Sequence, residues 1–137
     1  MSLHLIKLCV GCETVEELIE WRRQTRQLEV PWILRTRQTP KRAPELVGEG
    51  SLYRVYKGFI LSRQRILAID TVDTGPQRRC EIELEETVFF TTPTPRRAFQ
   101  GWRYLDPLDA PGDLRESGQA GRMPADLVRR LREIGAW

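Results

Sequence analysis

Apolar positions alternate with a period of two over residues 3–10, with Leu3, Leu5, Lys7 and Cys9 on one face and His4, Ile6, Leu8 and Val10 on the other. Both faces are mainly apolar, so the segment predicts a central strand. The period then lengthens: Val15, Leu18, Ile19, Trp21 or Arg22, Thr25 and Leu28 recur at helical spacing. Thr14 and Glu17 stand at the spacing of a capping box, and together these residues predict a helix over 14–28. Pro31 ends it. Residues 32–37 predict a strand with Arg35 and Arg37 facing outward, followed by a basic loop at 40–44.

Gly48 to Gly50 mark a turn, and two strands are predicted over 51–73 with a reversal near Gly58. In the first, Leu52, Arg54 and Tyr56 alternate against Tyr53, Val55 and Lys57; in the second, Ile60, Ser62, Gln64 and Ile66 alternate against Leu61, Arg63, Arg65 and Leu67. A turn at 74–77 leads to a hairpin partner with Cys80, Ile82 and Leu84 on one face, and 87–91 predicts a further short strand. Prolines at 93, 95, 107 and 111 argue against long elements from 92 to 111, apart from a last strand at 102–105. Residues 112–122 have the composition of a mobile loop, and Pro124 opens a closing helix whose apolar face is Leu127, Val128, Leu131 and Ile134. The sum is one α+β domain over 1–137, a small, mostly antiparallel β-barrel or curved sheet with a helix after the first strand and another at the C-terminus.

Composition narrows the class. A chain with 40% hydrophobic and 30% charged residues, and no apolar run of about 20 residues, is not that of a membrane-spanning protein. The first residues lack a basic leader and a cleavage site, so the expected compartment is the cytoplasm. A net charge of +3 decides little, but arginine outnumbers lysine nineteen to three. Arginine suits planar recognition of phosphate, although a high genomic G+C content produces the same bias.

The densest candidate chemistry lies at 95–105, where Phe99, Trp102 and Tyr104 mix with Arg96, Arg97 and Arg103 around Gly101. Together with Tyr53, Lys57, Arg63 and Arg65 on the middle strands, Arg96, Arg97, Trp102, Arg103 and Tyr104 form a basic and aromatic set. Such a set fits a phosphate backbone with stacked bases, so the expected partner is RNA or a nucleotide. Phe99 and Trp102 equally suit closing the core. The C-x-x-C of Cys9 and Cys12, between a strand and a helix start, offers an alternative: a thiol redox or metal-binding protein. A zinc site from His4, Cys9, Cys12 and Cys80 is disfavoured because His4 and Cys9 project to opposite strand faces. Glu81, Glu83, Glu85 and Glu86 look like a solvated strand face, and Asp70 and Asp73 like surface partners of Arg63 and Arg65. Neither set argues for acid and base catalysis; the pattern favours binding and calls for no cofactor.

The chain also resembles an alphaproteobacterial domain-of-unknown-function family, number 1489. The likeness runs through 3–11, Gly50-Ser51-Leu52-Tyr53, Lys57-Gly58, 63–67, 99–105 and Asp109-Ala110-Pro111. That family carries no established activity. More loosely, strand count, early helix and basic strand edges are similar to PUA-like barrels, the group with the ASCH and EVE domains. That resemblance implies binding of RNA or a modified base in a cleft of the barrel.

Overall fold

A computed structural model of the chain describes residues 3–25, 30–74, 77–97 and 99–114. The closing helix and most of the loop expected at 112–122 lie outside the described residues. The elements are β1 (His4–Leu8), α1 (Val15–Thr25), β2 (Trp32–Thr36), α2 (Ala43–Leu46), β3 (Ser51–Tyr56), β4 (Phe59–Thr74), β5 (Gln77–Leu84), β6 (Phe89–Pro95) and β7 (Trp102–Leu105), then a 3-10 turn at Pro107–Asp109. The seven strands form one mixed sheet in the order β2-β5-β4-β3-β1-β7, with β6 also paired to β4. Only β1 and β3 run parallel; every other pair is antiparallel. No described strand pair joins β2 to β7, so the sheet stays open.

β1 lies between β3 and β7, as its two apolar faces require. Leu5, Leu52, Tyr56, Leu61, Ile66, Ile82, Leu84 and Phe90 on one side pack with Val15 and Leu18 of α1 and with Trp32. On the other side Ile6, Tyr53, Val55, Ile60 and Leu105 form a smaller cluster, covered by Leu8, Phe99 and Ala110. Covering both faces buries all six residues of β3. The helix forms where the capping pattern stands: Thr14 Oγ1 accepts the Glu17 N–H at 3.1 Å, and the Glu17 carboxylate accepts the Glu13 N–H at 3.0 Å. Of the two residues that periodicity leaves competing for the inner face, Arg22 is buried and Trp21 is half exposed.

β4 bends to serve three partners. Irregularities opposite Arg54/Val55 and within Ile60/Ser62 and Ile66/Ala68 turn it from β3 and β6 onto β5. Lys57 and Gly58 both take positive φ, 48° and 89°, which a two-residue hairpin of matching twist needs. Gly50 is required for space, since a Cβ there would stand 2.5 Å from the carbonyl oxygens of Leu3 and Leu46.

Two expectations need correction. A short helix, α2, begins inside the basic loop at 40–44, with Pro44 in its first turn, a place where the missing N–H costs nothing. The strand expected at 87–91 starts at Phe89 and runs through Pro93 to Pro95. Among the named strands it pairs with β4 alone, and its other edge meets only the short bridge from Thr91 to Asp113, a position near the sheet margin where prolines are tolerated.

Candidate functional site

β7 pairs antiparallel with β1 so that Trp102 lies opposite Lys7 and Tyr104 opposite Leu5. These four share one face, the one that also carries Leu52 and Arg54. Curvature brings this edge to the end of β2, where the Trp102 indole N–H donates to the Gln38 carbonyl at 3.0 Å. The Tyr104 hydroxyl accepts the Arg42 backbone N–H at 3.2 Å, and the two rings meet edge to face at 5.1 Å. The Arg42 guanidinium lies 5.7 Å over Tyr104 and is itself held by Glu45 at 2.6 and 2.7 Å.

Two hollows, of about 540 and 510 Å³, flank Trp102 along this seam and share Arg37, Gln38 and Trp102 as walls. Lys41, Thr39 and Tyr104 complete one; Lys7, Gln100 and Arg103 border the other. Among the described residues no carboxylate pairs with Lys7, Arg37, Lys41 or Arg103. Arg103 instead donates to the Gln100 carbonyl at 2.8 Å and lies 5.3 Å over Phe99. The seam therefore combines two half-buried aromatic rings with four cations that no described carboxylate neutralises.

The basic and aromatic set of the sequence divides into three places. Trp102, Arg103 and Tyr104 lie at the seam. Tyr53, Arg63 and Arg65 lie on the opposite face, where Tyr53 registers with Arg63, and Ser51 with Arg65, around a hollow of about 330 Å³. There Arg63 is already satisfied: Asp113 accepts from it at 2.6 and 2.7 Å, Ser51 Oγ at 2.9 Å, and the Phe89 ring lies 4.6 Å beneath it. Asp113, rather than Asp70 or Asp73, is its partner. Tyr53 is buried, edge to face with His4 at 5.1 Å, and burial pushes its phenol up. His4 Nδ1 accepts the Ser51 N–H at 3.0 Å; burial, then the charge of Arg63, pushes its pKa down, so the ring is held neutral. The third place is the β3–β4 hairpin tip: Lys57 reaches Glu13 at 3.1 Å, the Arg96 N–H donates to the Gly58 carbonyl at 2.8 Å, and Arg97 is exposed nearby in sequence.

Sequence reasoning missed Lys7, Arg37, Gln38 and Lys41. Arg37 and the loop of Lys41 were visible as basic, but nothing in the pattern joins them to residues more than 60 positions later. Of the cysteines, Cys9 and Cys12 are half-buried and Cys80 is buried. Burial pushes the Cys9 thiol up to about 12, which keeps it protonated near neutral pH. Among the described residues no three of His, Cys, Asp and Glu gather as metal ligands, and no helix is long and apolar enough to cross a membrane. Glu86, expected on a solvated face, instead reaches the buried Arg22, whose Nε donates to it at 3.0 Å.

The model of a family described as proteins of unknown function, DUF1489, matches residues 5–137. No curated protein and no solved structure matches the chain.

Proposed function

We propose that this chain, which belongs to the DUF1489 family of proteins of unknown function, is a cytoplasmic binding module for single-stranded RNA or a nucleotide within it, held along the β2–β7 seam. The observation that carries the reading is the seam itself: Trp102 and Tyr104 stand among Lys7, Arg37, Lys41 and Arg103, four cations with no described carboxylate partner. Aromatic faces stack bases of any sequence, and unpaired cations meet phosphates without first breaking an ion pair. Tyr53 and Arg63 support it less, because one is buried and the other is already bound to Asp113. The likeness to PUA-like barrels favours the same partner by analogy of strand number, early helix and basic strand edges. The alternative, thiol chemistry at Cys9 and Cys12, is less favoured because Cys9 stays protonated.

Fluorescence anisotropy with labelled single-stranded RNA and DNA oligomers tests the reading. If all four cations meet phosphates, the logarithm of affinity falls with the logarithm of salt concentration with a slope of about −3, from roughly 0.7 per contact. Absence of binding at low salt sinks the proposal.

A further inference from the structure

Lys7 also borders a further hollow of about 300 Å³, open on one side and formed by the end of β1 with the loop after it, α1 and β2, and lined in part by Cys9, Cys12, Trp21, Trp32 and Arg54. Its size is at the small end of the range for ligand pockets. Arg54 sits in the middle of β3, registered with Lys7 on β1 and Ser62 on β4, and is 6% exposed. Its guanidinium lies 5.4 Å over the Trp32 ring, and its buried Nη1 has no hydrogen-bond partner.

Arg22 provides the contrast. It is as buried as Arg54 and lies 5.0 Å over the same indole, yet it is held by the Glu86 carboxylate. Among the described residues no carboxylate does the same for Arg54. A guanidinium cannot shed its proton to escape burial, so a buried one without an anion calls for a partner. Cys9, held protonated by burial, supplies no negative charge. The remaining walls are mainly apolar and include two indoles, the buried Trp32 and the half-exposed Trp21, with Leu18 and Leu34.

We infer that this cavity binds a small molecule carrying one carboxylate or phosphate on a flat apolar body, with the anion against Arg54 and the body against Trp21 and Trp32. Lys7 stands at the border as a second cation. This site shares Lys7 with the seam but not Arg37 or Lys41, so a polymer-binding defect caused at Arg37 and Lys41 leaves it intact.

The probes are benzoate, phenyl phosphate and neutral benzyl alcohol, titrated into the full chain and followed by tryptophan fluorescence and calorimetry. The expected result is saturable binding of at least one anion, with benzyl alcohol weaker by about tenfold or more. Arg54→Met should weaken the anion by about tenfold or more, and Arg54→Lys by less. Trp21→Ala, at a half-exposed position where the fold has little at stake, should weaken both kinds of probe and keeps the test open if the Arg54 variants fail to fold. Equal binding of anion and alcohol, unchanged anion affinity in a folded Arg54→Met, or no binding of either anion at millimolar concentration overturns the inference.

Discussion

The indole N–H of Trp102 and the carbonyl of Gln38, 3.0 Å apart, tie β7 to the segment just beyond β2, across the gap of an otherwise open sheet. Replacing Trp102 by Phe keeps a ring but removes the donor, and should cost about 1 kcal/mol in urea unfolding. Trp102→Ala should cost about 2–3 kcal/mol, because the half-buried ring also packs on the main core. A Trp102→Phe variant as stable as the native chain would show that the edges are held by something else.

Arg22 and Glu86 are the ion pair with most at stake, since Arg22 is 5% exposed. Glu86→Ala leaves a buried guanidinium short of its carboxylate and should destabilise by about 2–3 kcal/mol, with Glu86→Gln milder. A double-mutant cycle with Arg22→Met should return a coupling of about 1 kcal/mol or more. Coupling near zero would place the pair among ordinary surface contacts.

His4 predicts a pH dependence. Its folded pKa lies below the unfolded value of about 6.5 because burial, then Arg63, disfavours the charged ring. The unfolded chain therefore binds the proton first. The contribution to stability is complete above the unfolded value and is lost as pH falls from there through the folded pKa. Urea midpoints measured from pH 7.5 down to pH 5 should decline, and His4→Gln, which keeps an acceptor for the Ser51 N–H, should flatten that decline. Parallel slopes for the two proteins would remove His4 from the account.

Cys9 should be slow to alkylate. With its thiol pushed up to about 12, the native chain treated with iodoacetamide at pH 8 should label Cys9 far more slowly than the urea-unfolded chain, as read by peptide mass mapping. Native labelling as fast as unfolded labelling would instead favour thiol chemistry.

How much of this was legible in the sequence differs from element to element. Helix α1 was, because Thr14 and Glu17 satisfy backbone donors locally. So was β5, where the alternation of Cys80, Ile82 and Leu84 became three buried side chains. The choice of Arg22 over Trp21 was not, since adjacent helical positions share a periodicity and only the distant Glu86 decides between them. The candidate site was half visible for the same reason. Trp102, Arg103 and Tyr104 stood out by composition, whereas Arg37 and Lys41 join them through sheet curvature, which residue spacing does not encode.

The most direct measurement compares RNA affinity, by anisotropy at low salt, among the native chain, an Arg37→Glu/Lys41→Glu double variant and an Arg65→Glu control on the other face. Seam binding predicts a loss of about tenfold or more for the double variant, a smaller salt slope, and little change for Arg65→Glu. Equal losses for the two variants, or a loss confined to Arg65→Glu, would contradict it.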